Sequence, residues 1–110
     1  MTTVTIWRDQ QKSITAFCAA GHSDDASESG QDIYCAAISA IVQTACIGLS
    51  DYIGAELKLA IEDGWLRCEF ADPQFSQSEG CKAILETMLL GLRSFMTEYP
   101  GYLEIIEEVR

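Results

Sequence analysis

Asp63-Gly64 stands between two alternating runs, Leu57 to Glu62 and Trp65 to Phe70, and that dipeptide in that setting is a strong local signal for a β-hairpin. In the first run Leu57, Leu59 and Ile61 alternate with Lys58, Ala60 and Glu62, so one side is apolar and has to be covered. A second hairpin is predicted near the start of the chain. Thr2 to Arg8 is β-branched and alternating, Asp9-Gln10-Gln11-Lys12 is a polar turn, and Ser13 to Ala20 puts Ile14, Ala16, Cys18 and Ala20 on one face. Two hairpins commit the chain to a sheet, and the remaining segments must bury its apolar side.

Those segments read as helices. Ile33 to Leu49 contains CAAISAIVQTACIGL, apolar nearly all round and rich in small residues, which predicts a helix buried on most sides and lying close to the sheet. Ser76-x-x-Glu79 reads as a capping box ahead of a second helical stripe made of Cys81, Ile84, Leu85, Met88, Leu89, Leu92, Phe95 and Met96. Pro100-Gly101 ends that helix, and Tyr102 to Val109 reads as a last strand. The order β-β-α-β-β-α-β is that of an α+β fold: one two-layer domain over residues 1–110, with two helices on one face of a mixed sheet. A chain of 110 residues is about one domain, and no repeat or linker divides it.

Seventeen acidic against seven basic side chains give a net charge of −10, which repels nucleic-acid phosphates and anionic lipid and attracts a basic partner. No direct nucleic-acid binding and no membrane association are therefore expected. No apolar run is expected to approach the roughly 20 residues of a membrane span, and MTTVTIWRDQQKS lacks the basic head and apolar body of a signal peptide; the expected location is the cytoplasm. The five cysteines, Cys18, Cys35, Cys46, Cys68 and Cys81, are odd in number and spaced by 17, 11, 22 and 13 positions. That is neither a disulfide framework nor a zinc pattern, so no metal and no cofactor are expected. Cys18, Cys46, Cys68 and Cys81 are assigned to the core, and Trp7, Trp65, Met88 and Met96 to core or interface packing.

The one histidine, His22, precedes Cys35 by thirteen positions. A strand ending at His22 and a helix beginning near Ile33 are neighbours once the helix folds back over the sheet, with Ser23 to Gln31 as a polar loop between them. Within it Asp24, Asp25 and Glu28 read as a hydrated charged run. Asp32 is a good N-cap and would put Cys35 in the helix's first turn, where the positive helix end favours a thiolate. Asp32 could instead orient His22. A thiolate beside an imidazole is the equipment of nucleophilic catalysis, first-turn N–H groups could receive an oxyanion, and Ser39 lies one turn beyond Cys35 on the same face. By residue type alone, however, such a cysteine is more often a packed thiol and such a histidine more often solvated.

Gly21-His22, then a short acidic tract, then GQDIYCAAISA resembles the signature of the bacterial ribosomal-processing cysteine protease family, Prp. The match covers Gly21, His22, Gly30, Asp32, Ile33, Cys35, Ala36, Ala37 and Ser39. Ser23 stands where alanine is common and Tyr34 where an aliphatic residue is usual. The resemblance implies a cysteine endopeptidase that removes a short N-terminal extension from a large-subunit ribosomal protein precursor, cutting after an aromatic, apolar stretch. It implies Cys35 as nucleophile, His22 as general base and acid, and a homodimer; Gly30 would then be a hinge of a loop that closes over an extended peptide. Two other classes remain open at the level of sequence. One is a non-catalytic acidic binding factor for ribosome assembly, in which His22 and Cys35 only shape a groove. The other is a thiol redox switch, disfavoured because no second cysteine lies near Cys35 in the sequence.

Overall fold

The computed structural model describes residues 1–21 and 29–110, and of residues 29–32 the backbone only. Among the described residues five strands form one sheet: β1 (Thr2–Arg8), β2 (Ile14–Ala20), β3 (Leu57–Glu62), β4 (Trp65–Phe70) and β5 (Leu103–Val109), in the spatial order β3-β4-β2-β1-β5. All neighbours are antiparallel except β1 and β5, which run parallel, so the sheet is mixed. Two long helices, α1 (Ser29–Ile47) and α2 (Glu79–Glu98), provide the second layer. This is the expected architecture, down to the ends of β3 and β4, except that the apolar side of β3 is largely not covered: β3 is the sheet's edge strand, and Leu59 and Ile61 are exposed there.

Register decides which side chains meet the helices. Ile6 lies opposite Phe17 and Val4 opposite Ala19, and Val4, Ile6 and Phe17 are buried with Leu66, Cys68 and Phe70 of β4 beneath the helices. Cys18 lies opposite Thr5 and Arg67, on the other side of the sheet, where it is half-buried rather than in the core. One residue of register is enough to make that difference. Trp7 also lies on the open side, its ring flanked by the guanidinium groups of Arg67 at 4.9 Å and Arg110 at 5.1 Å, a cation–π stack that replaces helical cover.

α2 follows its sequence closely. Cys81, Leu85, Met88, Leu89, Leu92 and Phe95 are buried, in one stripe at helical spacing. Its cap differs by two residues from the expected box: the Ser78 hydroxyl accepts from the Cys81 amide at 3.1 Å, while Ser76 is buried in a short 3-10 turn, Pro73–Gln77, and donates to the Pro73 carbonyl at 2.7 Å. The proline starts that turn by fixing its own backbone, which delays the α-helix to Glu79.

α1 departs from expectation on two points. It begins at Ser29, four residues before the expected start, and only its inner side is buried, through Ile38, Val42, Ala45, Cys46 and Leu49. Ile33, Ala36, Ser39, Ala40, Gln43, Thr44 and Ile47 are exposed. A π-helical turn, Gly48–Ile53, continues α1 and closes at Gly54, whose φ of 81° is the left-handed stop that glycine supplies at a helix end. Together Ile33–Ile53 is a helical stretch of 21 residues, within which an 18-residue window has a mean hydropathy of 1.7, so the expectation that no apolar run nears span length does not hold. Alanine, cysteine and isoleucine raise hydropathy without filling a core, and one side of the helix suffices to pack on the sheet.

Candidate active site

The sheet end where β1 begins and β2 stops is also where α1 passes overhead. Thr2, on the same side of β1 as Val4 and Ile6, is buried there at 5 % exposure. Its hydroxyl donates to the Gly21 carbonyl at 3.3 Å and lies 3.8 Å from the Cys35 sulfur, within range for a contact to sulfur. Thr2 is held in turn by β1 itself and by its amide, which donates to the Tyr102 carbonyl at 3.2 Å. The fold therefore brings Cys35 to the end of β2, one residue before His22 in the chain. His22 itself lies outside the described residues, as do Asp24, Asp25 and Glu28.

Gly21 is needed by geometry. Its φ is 105°, and a Cβ placed there would meet the Met1 carbonyl oxygen at 2.7 Å, so any side chain would push β1 and β2 apart. Its amide donates to Gly64 at 2.9 Å, tying the end of β2 to the β3–β4 turn.

Cys35 is half-buried, and its neighbour Tyr34 is anchored in an aromatic cluster. The Tyr34 ring stacks on Tyr102 with centroids 3.9 Å apart and meets Phe95 edge-on at 6.1 Å and Tyr99 at 5.2 Å. Tyr34 thus fastens the part of α1 that carries Cys35 to the end of α2 and the approach to β5.

The helix start changes the role expected of Asp32. With α1 beginning at Ser29, Asp32 is its fourth residue and Cys35 its seventh. Asp32 is not the N-cap, and Cys35 is not in the first turn, so the unpaired N–H groups of the helix end lie about one to two turns behind the sulfur. The helix-end field also fades beyond the first turn. Gly30 lies inside the helix rather than in a loop; the expected loop Ser23 to Gln31 is shortened at its far end, and its remainder is outside the described residues. Ser39 is exposed, one turn beyond Cys35.

The remaining thiols are differently placed. Cys46, Cys68 and Cys81 are buried. The hydrogen bond between Cys46 and Cys68, together with burial, pushes the Cys68 thiol far up and keeps it protonated. Burial likewise raises Cys18, against the opposing effect of Arg67 nearby.

Two residues that contact Cys35 or its neighbour Tyr34 are not marked as site residues by the sequence reading: Thr2 and Tyr102. A signal for Thr2 was present, because period-two alternation puts it on the side of Val4 and Ile6, and a hydroxyl on an apolar face needs a partner. Tyr102 left none, since its role comes from a stacking contact with Tyr34 far away in the chain.

The chain is similar to known proteins along nearly its whole length. The family model for the cysteine protease Prp matches residues 1–104. The ribosomal processing cysteine protease Prp of Bacillus subtilis is 29 % identical over 114 residues, covering 99 % of each chain. Among solved structures, the Staphylococcus aureus ribosomal processing protease Prp in complex with a covalently linked product peptide superposes with a TM-score of 0.83 at 25 % identity, over 97 % of this chain and 99 % of that one. A Streptococcus mutans protein superposes at 0.88 with 20 % identity, over 100 % of this chain and 96 % of that one, a likeness of fold.

Proposed function

Because the chain belongs to the family of the cysteine protease Prp, we propose that Cys35 is its nucleophile, that His22 is its general base and acid, and that its substrate is a large-subunit ribosomal protein precursor carrying a short N-terminal extension. Membership of a protease family decides between an enzyme and a non-catalytic binding factor: the protein is a cysteine protease. The observation that carries the residue assignment is the contact of the Cys35 sulfur with Thr2, which also holds the Gly21 carbonyl. His22 follows Gly21 directly in the chain, so the imidazole and the thiol start from adjacent points.

The chemistry follows from the two groups. His22 takes the Cys35 proton; the thiolate attacks the scissile carbonyl carbon, the C–N bond breaks, and the imidazolium gives that proton to the departing amine. A water molecule, deprotonated by His22, then splits the thioester and frees the new carboxylate. Asp32, Ser39 and Gly30 are assigned supporting places along α1, with Gly21 as the residue that lets β2 end beside β1. The net charge of −10 suits a basic ribosomal protein and opposes contact with nucleic-acid phosphate.

The protein acts in this reading as a cytoplasmic homodimer. Pairing of two copies is supported by an uncharged groove of about 660 Å³ between α1 and α2, lined by Ala40, Ile41, Thr44, Gly48, Ile84 and Gly91. Tyr52 at its edge is 86 % exposed, an aromatic side chain of the type enriched at interface centres. The reading without a membrane rests on the inner side of α1, which is already packed on the sheet. Mass analysis after mixing the protein with the extended ribosomal protein of its own source tests the whole: cleavage is expected, and Cys35→Ala and His22→Ala are each expected to abolish it. Full activity of the Cys35→Ala protein would overturn the assignment.

A further inference from the structure

Thr2 is the one polar side chain placed between the sulfur of Cys35 and the end of β2 among the described residues. Its hydroxyl has one proton to give and two lone pairs to receive, and it has two partners: the Gly21 carbonyl at 3.3 Å and the Cys35 sulfur at 3.8 Å. While Cys35 is a thiol both contacts are satisfied at once, with S–H donating to Oγ1 and Oγ1–H donating to the carbonyl. Once Cys35 is ionised the sulfur can only accept. One proton then faces two acceptors, and the anion is the stronger. A valine would fill the same space on the buried side of β1, so packing alone does not call for a hydroxyl.

We propose that Thr2 is a positioning residue for the Cys35 thiolate, its hydroxyl turning from the Gly21 carbonyl to the sulfur when the thiol loses its proton. The proposal rests on Cys35 being the nucleophile. No bond to carbon is made or broken in this step: the thiol proton leaves to the base, and the hydroxyl proton stays on Oγ1 and changes only its acceptor. Because the carbonyl released belongs to the residue before His22, ionisation of the thiol is sensed at the strand end that carries the base.

The test is the rate of Cys35 alkylation by iodoacetamide as a function of pH, read by peptide mass mapping on the intact protein, which needs no protease substrate. Titratable groups on the elements packed there are the Met1 amine, Tyr34, Tyr99 and Tyr102, with Asp32 three residues before Cys35 on α1, Glu104 of β5 beside Thr3, and His22 next to Gly21 in the chain; all are shared by the variants compared. In Thr2→Val the pH midpoint of alkylation is expected to rise and the rate at neutral pH to fall about tenfold. Thr2→Ser is expected to restore the rate to within about twofold, and in peptide cleavage Thr2→Val lowers kcat with KM kept. A folded Thr2→Val protein with an unchanged midpoint overturns the proposal. If the valine variant does not fold, the unsubstituted protein still decides: the Thr2 methyl resonance should follow the ionisation of Cys35 and lose that dependence in Cys35→Ala, and a methyl signal indifferent to pH overturns the proposal. Loss of cleavage in Cys35→Ala with no effect in Thr2→Val removes Thr2 alone; full cleavage by Cys35→Ala removes the nucleophile assignment instead.

Discussion

α2 is capped by Ser78, carries Glu79, Lys82, Glu86, Arg93 and Glu98, and is joined to the sheet by charge, whereas α1, on the same face, has no charged residue from Ile33 to Ser50. The joint to α2 is a chain of ion pairs: Glu86 takes both Nη groups of Arg8 at 2.7 and 3.0 Å, Arg8 Nε meets Glu107 at 3.0 Å, and Glu107 also accepts from Arg93. α1 is held by its inner apolar stripe and by Tyr34 against Tyr102, Phe95 and Tyr99. The difference separates two tasks. α2 supplies stability from its own pattern and caps; α1 is placed by contacts from elsewhere, and its outer side is left exposed.

If that division is right, the largest loss of stability should come from the centre of α2. Leu92, fully buried, cut to alanine is expected to cost about 3 kcal/mol by urea unfolding, a fall of more than about 10 °C in Tm. Cys35 alkylation well below that temperature should be unchanged. A Leu92→Ala protein of unaltered stability would show that α2 is not the structural member of the pair. Ser78→Ala should cost about 1 kcal/mol, because the Cys81 amide loses its acceptor and the helix its cap; a melting curve with the same midpoint would mean that another group caps α2.

That contrast also explains what could be read from the sequence. α2, β1 and β4 were legible because their burial follows a period of 3.6 or two along the chain, and β2, β3 and β5 because their residue types and turns mark strands, with the ends of β3 and β4 set by Asp63-Gly64, although β3 and β5 are largely exposed. α1 was not legible in the same way. With apolar residues all round, its sequence pattern could not say which side is buried, and the sheet settles that by accepting only the side with Ile38, Val42 and Leu49. The site divides likewise. Cys35, His22 and Gly21 stand out by residue type and spacing, but the position of Cys35 seven residues into the helix depends on where the helix starts, and the Thr2 contact joins residues 33 positions apart.

Acid provides a third comparison. The hydrogen bond from Arg8, aided by Arg93, holds the Glu107 carboxyl below the usual carboxylate range. A depressed folded value means stability that is present above the unfolded value of about 4.3 and lost as pH falls through the folded one. Stability should therefore decline on the acid side, less steeply in Glu107→Gln and less steeply at high salt, since the pairs are partly exposed. An acid limb identical in the two proteins would show that the ion pairs do not anchor α2.

The smallest expected effect is the sharpest test of α1. Ile47 is 58 % exposed although it lies in the most apolar stretch of the chain. Were α1 a core helix on all sides, as its composition suggests, Ile47→Gln would bury an amide among apolar groups and cost several kcal/mol. With the outer side open, the change should stay within about 0.5 kcal/mol in dilute urea titrations, and far-ultraviolet circular dichroism should be unaltered. A large loss that grows with protein concentration would instead mean that the outer side is covered by a second copy in the folded state, since stability gained by association depends on protomer concentration. A large loss independent of concentration would remove the division between the helices altogether, because α1 would then be packed on both sides within one chain.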